Sequence, residues 1–380
     1  MGLLGSPWGR PQVAQAVEAS SNLDENRISM GELRASLAQH DAMRRANQQF
    51  SAAVVVPTYN EFTTQTSQLV EASDAFAAEP SEATLTTLKE SWLAAASSWA
   101  KGRAFAFGPI DSLGHNAEMT FPTDVAGVET LLSEAKSYDA KDCEQVSLLP
   151  ALQGFEAMAY VLYGEEGDKP LDDFSAQERL YLQRLALNAH EISSELLAVW
   201  SQGHSGLPGY GTILTTAGEP GNGAYLSVES GAEEIIRGLI NCLDVVAHEE
   251  LPAMIEASEL ASGEEGNRAS DPSQSVNLVL LHSTLQGLQA AYLGRTGEED
   301  VVSLLLQAEQ PGLSQWVSMT DAATDADIQE LLSTALDEVA KAQTNEGNPQ
   351  SLTESLSMAQ TSLMTAQTNL ESEVLALVQQ

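Results

Sequence analysis

The stretch ALQGFEAMAYVLYG, residues 151–164, holds the side chains whose spacing most suggests chemistry. Glu156, Tyr160 and Tyr163 stand at i, i+4 and i+7, so on a helix they share a face. One carboxylate and two phenols suit a hard cation such as ferric iron better than a soft one. The competing reading makes the tyrosines core residues with tethered hydroxyls. A second candidate is the HxxE spacing of His115 and Glu118 in LGHNAEM. On a helix, residues at i and i+3 could grip one ion. Here glycines and prolines bound the segment, which reads as a loop with His115 a surface histidine. HExxH is absent, and no GxSxG, P-loop or GxGxxG precedes a helix in the context those motifs need. No Ser/His/Asp set is assigned.

The elements that must position these residues read as helices throughout. The pattern turns helical over 29–49, and AVVVPTYNEF follows, where Pro57 either kinks a helix or sits in its first turn. Ser81 ahead of Glu82 and Thr84 is a start signal for a helix over about 82–104. Trp92 and Trp99 lie one heptad apart on a single face of it. Residues 107–124 read as a loop, after which Asp124 opens a short helix. Further helices are expected at about 147–163, 173–202, 225–259, 275–293, 298–308, 324–343 and 350–378. No alternating run with hairpin punctuation suggests a strand. The class is all-α, with long helices and short loops that favour antiparallel bundles. LQGFEAMAYVLYG at 152–164 is echoed by LQGLQAAYLG at 285–294; if the echo is a repeat, the chain has two similar halves.

Composition narrows the function classes. Of 380 residues 43% are apolar, enough to build a core, and only 6% are aromatic. Against 17 Lys and Arg stand 54 Asp and Glu, a formal net charge of −37. Such a surface repels nucleic-acid phosphates. It is read as a solvating surface, with a cation-attracting field as the sharper alternative. Apolar runs are too short for a membrane span. Cys143 and Cys242 form no CxxC pair; one bridge between them is open, and Cys242 in GLINCLDVV reads as a buried thiol. MGLLGSPWGR lacks the basic start and apolar run of a signal peptide, so the chain is either cytoplasmic or a form without its leader. Residues 1–28 read as a loose arm.

Several segments in order resemble the imelysin-like family of bacterial proteins. SWLAAASSWAKGRAFAFGPIDSLG at 91–114 looks like the family's Trp-containing helix running into an aromatic-Gly-Pro-Ile loop. FPTDVAGVETLL at 121–132 looks like its Pro-Asp segment, and LLPALQGFEAMAYVLYG at 148–164 like the helix bearing its GxHxxE motif. LLAVW at 196–200 and LQAAYLGRTG at 288–297 look like landmarks of the second half. The resemblance spans roughly residues 48–378.

It implies an all-α fold of two similar four-helix-bundle domains, here 29–202 and 203–380, with a functional site between them. It also implies export to the periplasm or cell envelope and a role in iron acquisition, with iron as the cofactor to consider. A metal ion or iron-carrying ligand, and an envelope iron-uptake partner, are the implied partners. The family's older grouping with metallopeptidases rests on the HxxE motif. Laid on that motif, this chain has Gly154, then Glu156 for the His and Ala159 for the Glu. The best borderline-metal ligand and the general base of a peptidase are both missing. The candidate binding residues are Arg103, Asp124, Glu156 and Tyr160, with Glu156 the candidate metal ligand. Arg103 stands where many members carry an acidic residue, and a cation opposite Glu156 would favour a salt bridge over a metal. Three readings follow: a non-catalytic iron-linked envelope protein with an altered site, a structural or interaction module that has lost its site, and, least favoured, a metallopeptidase.

Overall fold

The structure is a computed structural model that describes residues 29–120, 122–134, 149–164, 167, 169–261, 272–296, 312–345 and 347–379. The arm expected over 1–28, the helix expected over 298–308 and Cys143 lie outside the described residues. The chain divides into two compact units, Met1–Asp41 and Ala42–Gln380. Of the first, residues 29–41 are described; they are nearly all helical and mostly exposed.

Helix α1 (Met30–Gln49) has residues in both units; in the second, a π-turn at Phe50–Val55 leads into α2 (Val56–Ala78), with Pro57 in its first turn. Proline has no N–H to donate, and its ring collides with the carbonyl four residues back in a regular α-helix. That carbonyl belongs to Ala53, inside the π-turn, whose wider i→i+5 pattern accommodates the ring. The second half repeats the device. Helix α10 (Val228–Val245) gives way to a π-turn at Val246–Glu250, and α11 (Leu251–Ala261) starts with Pro252.

Helix α3 (Glu82–Lys101) starts where Ser81 accepts the Thr84 N–H at 3.2 Å and Thr84 returns the bond to the Ser81 N–H at 3.0 Å. Such a cap is worth about 1 kcal/mol. Its Leu85, Leu88, Trp92 and Trp99, spaced three, four and seven apart, are buried. The expected loop over 107–124 instead contains α4 (Pro109–Ser112) and α5 (His115–Thr120), ahead of α6 (Val125–Glu134). Gly108 and Gly114 turn the chain around the first of these at positive φ, and the short turns between them still close helical bonds. The helix expected from 147 begins later: a 3₁₀ turn at Pro150–Leu152 precedes α7 (Gly154–Tyr163).

Helix α8 (Ala176–Ser201) packs along α2, which also packs on α3. A short α9 (Tyr210–Thr215) lies in the glycine-rich connection. In the second half, α12 (Pro272–Leu293), α14 (Ala322–Thr344) and α15 (Pro349–Asn369) pack in sequence, and α11 closes on α15. Two short helices, α13 (Leu313–Thr320) and α16 (Leu375–Val378), complete the chain. Helix α12 also lies along α3. The approach is close: a Cβ on Gly287 would sit 2.0 Å from the Lys101 carbonyl oxygen. No strand occurs among the described residues, so the all-α class holds.

Candidate functional site

Helices from both halves enclose a cavity of about 1080 Å³. The end of α3 and the 3₁₀ turn after it supply Trp99 and Arg103, α5 supplies Met119, and the first turn of α7 supplies Phe155 and Glu156. From the second half, α10 contributes Glu233, Glu234 and Arg237, and the π-turn contributes Glu250.

The first turn of α7 is held over this space by two sequence features. Trp92 Nε1 donates to the Phe155 carbonyl at 3.2 Å from within the core. Gly154 has φ +84°, and a Cβ there would meet the carbonyl oxygens of Glu118 and Met119 at 2.9 Å. Only glycine tolerates both the backbone angle and the contact. The glycine therefore lets α5 and α7 touch, and Glu156 follows it on the cavity side.

Of the two arrangements left open for Glu156, the salt bridge to Arg103 does not form. The Arg103 fork is filled by Glu250, with Nη2 to Oε1 at 2.5 Å and Nη1 to Oε2 at 3.1 Å, and Nη1 also reaches Thr284 Oγ1 at 3.4 Å. A bidentate carboxylate leaves the fork little to offer a second one. Burial works against the guanidinium's charge, but Glu250 outweighs it and holds Arg103 above its ordinary range. Cys242 lies beside this pair, and burial pushes its thiol up to about 12 despite Arg103. At neutral pH it is a thiol, not a metal-binding thiolate.

Among the described residues Glu156 Oε2 accepts the Thr123 N–H alone, at 3.4 Å. The side chain stays open to the cavity, yet surrounding protein raises its carboxyl above the usual range, against the opposing Thr123 bond. Its expected companions go elsewhere. Tyr160 donates to Glu129 of α6 at 2.8 Å, and Tyr163 lies edge-on to Trp92 beneath Lys89. Sharing a helix face set the direction of the two rings, but their length carries the hydroxyls to different neighbours, so the three oxygens do not converge. Asp124 Oδ1 accepts the Gly127 N–H at 3.0 Å and caps α6. The structure thus brings Arg103 and Glu156 to the cavity, while Asp124 and Tyr160 are outside its lining and bond to α6.

His115 is not a surface loop histidine. It starts α5, is 8% exposed, and is bracketed by two carboxylates. Nδ1 lies 2.7 Å from Glu118, and Nε2 lies 3.1 Å from Glu195 of α8. Opposite ring nitrogens face the two acids, so one ion cannot engage all three groups. Among the described residues no group of three or more His, Cys, Asp or Glu is placed to hold a metal ion. The side chains present do not fit a resident bare ion, which needs four or more close donors.

Glu233, Glu234, Arg237 and Glu250 escaped the sequence reading. The i, i+4 spacing of Glu233 and Arg237 was a readable pair signal. Nothing local marks Glu250 as the partner of a residue 147 positions away.

The family model described as imelysin (peptidase M75) matches residues 55–376. Iron-regulated protein A of Synechococcus elongatus is 29% identical over 213 residues, 56% of this chain and 55% of that protein. The chain's match therefore spans about half the length of that relative. A crystal structure assigned to an iron-regulated protein A precursor from Parabacteroides distasonis shares the fold with a TM-score of 0.68. Its identity is 17%, with 87% of this chain and 95% of that one covered. An imelysin-like protein from Psychrobacter arcticum gives 0.61 at 14% identity, covering 90% and 96%.

Proposed function

This chain belongs to the imelysin family, and from that premise we propose that it is a non-catalytic, iron-related binding protein of the periplasm or cell envelope. It holds an iron-carrying molecule in the cavity where two helical halves, 29–202 and 203–380, meet. One observation carries the reading: Glu156 opens into a cavity of about 1080 Å³ and is not closed against Arg103. That volume suits a small molecule. The scattered donors do not suit a bare ion, so iron is carried within a complex.

The relatives named iron-regulated protein A support the link to iron, and the description of one as a precursor supports export. Glu156 and Ala159 at the motif positions support the absence of peptidase chemistry, since neither an imidazole ligand nor a second carboxylate base is present there. Glu156 touches the ligand, Arg103 lines the cavity locked to Glu250, and Asp124 and Tyr160 hold α6 away from the lining. An envelope iron-uptake component is the partner that receives or delivers the complex. Among the described residues no helix is long and apolar enough to cross a membrane.

Titration calorimetry with ferric citrate, ferrichrome and ferrioxamine B tests the reading. At least one complex should bind one-to-one, and binding should weaken at least tenfold in Ala253→Trp, which places an indole in the cavity from an exposed wall position. Absence of heat with all three, or equal heat in both proteins, would overturn it.

A further inference from the structure

We infer that the cavity selects a cation: a ligand with an ammonium or amidinium group on a partly apolar body, its charge shared between Glu156 and Glu234. This rests on the cavity being a ligand site, as proposed above, and adds the ligand's charge class.

Among the described residues six charged side chains line the cavity, and four of them satisfy one another. Arg103 is held by both oxygens of Glu250. Arg237 reaches Glu233 through Nε at 3.0 Å and Nη2 at 2.6 Å. The two remaining are carboxylates from opposite halves of the chain. Among the described residues Glu156 has the long bond from Thr123, and Glu234 is met by the hydroxyls of Tyr210, at 3.5 Å, and Tyr225. Among the described residues neither has a cationic partner.

An anionic ligand entering here would meet two unpaired carboxylates and two guanidiniums already engaged. It would have to break a bidentate pair to find a positive charge. A cationic ligand needs no such rearrangement. It meets Glu156 from α7 and Glu234 from α10, with Trp99 and Phe155 also in the lining. The remaining wall mixes apolar side chains such as Met119, Leu280 and Leu281 with the amides of Asn241 and Asn277, and takes the body of the molecule. The raised carboxyl of Glu156 agrees with this geometry, since a neighbouring cation would have lowered it. The long-range field of a chain carrying −37 draws the same class of ligand toward the opening.

The test uses one iron–hydroxamate body with three charges: ferrioxamine B with its free ammonium arm, the N-acetylated neutral form, and the N-succinylated anionic form. An iron-free amine, 4-phenylbutylamine, is the fourth probe. Ferrioxamine B should bind at least tenfold more tightly than the neutral form and more tightly still than the anionic one. In Glu156→Gln/Glu234→Gln, checked for an unchanged helical spectrum and a single cooperative melting transition, the preference should fall below threefold. Equal or tighter binding of the neutral or anionic form would overturn the cation selectivity and leave the binding reading standing. Binding of the amine alone would uphold cation selectivity and overturn the iron reading. Binding of none of the four would overturn both.

Discussion

Glu250 and Glu156 line one cavity from opposite halves of the chain, yet their surroundings differ in kind. Glu250 ends a π-turn and gives both oxygens to the Arg103 fork, with Thr284 supporting the same guanidinium. Glu156 sits in the first turn of a helix and receives one long bond from a backbone amide. The first carboxylate is saturated by its own protein and ties the turn after α3 to the end of α10. The second keeps its charge available. Proximity to a cavity therefore does not make a residue a ligand contact; what counts is whether the fold has already satisfied it.

Removing Arg103 should produce the largest effect that separates the two. In Arg103→Met, Glu250 loses its partner at a site where the two side chains are 25% and 33% exposed. The expected loss is about 1–3 kcal/mol in urea unfolding, between the exposed and the fully buried cases. Glu250→Gln in the Arg103→Met background should add little, since the two act as a pair. A loss below about 0.5 kcal/mol for Arg103→Met would place Glu250 on the same footing as Glu156 and dissolve the contrast.

A smaller, pH-dependent effect should appear at Glu156. Its carboxyl is raised in the folded protein, so the native state binds the proton more tightly than the unfolded chain. The contribution to stability is present in acid and is lost as pH rises from the ordinary carboxylate value through the raised one. Glu156→Gln cannot ionise and escapes that loss. Its melting temperature relative to the unsubstituted protein should therefore increase from about pH 4 to about pH 7. A difference that stays flat or shrinks over that range would mean Glu156 is already paired.

The smallest signal concerns the saturated side of the cavity. Cys242, with its thiol pushed up to about 12 by burial, should resist iodoacetamide at neutral pH in a Cys143→Ser background. Opening the neighbouring pair with Arg103→Met should speed alkylation by a few-fold at most, because burial is the main cause of the shift. Rapid labelling of the otherwise unsubstituted wall would show that the Arg103–Glu250 link opens freely.

The contrast also shows what could be read in advance. Ser81, Trp92, Trp99 and Pro57 all behave as their local patterns suggest, because caps, helix faces and proline constraints act within a few residues. His115 went unread because its burial depends on Glu195, 80 positions away. The two LQG segments show the same limit. Gly154 opens α7 at positive φ against the carbonyls of α5, whereas Gly287 sits inside α12 where the Lys101 carbonyl approaches. The letters match, but the roles do not. The closer structural parallel is the pair of π-turns ahead of Pro57 and Pro252, which length and spacing did not announce.

By itself the sequence determined the all-α class, most helix starts and stops, and the acidic character. These follow from side-chain chemistry and hydrogen bonds that close within one or two turns. Only the tertiary structure decided that Arg103 belongs to Glu250, that Asp124 and Tyr160 bond to α6 away from the cavity lining, and that Glu156 faces open space. Those outcomes depend on which helices meet, and a charge pair across the fold is set by packing that no local spacing encodes.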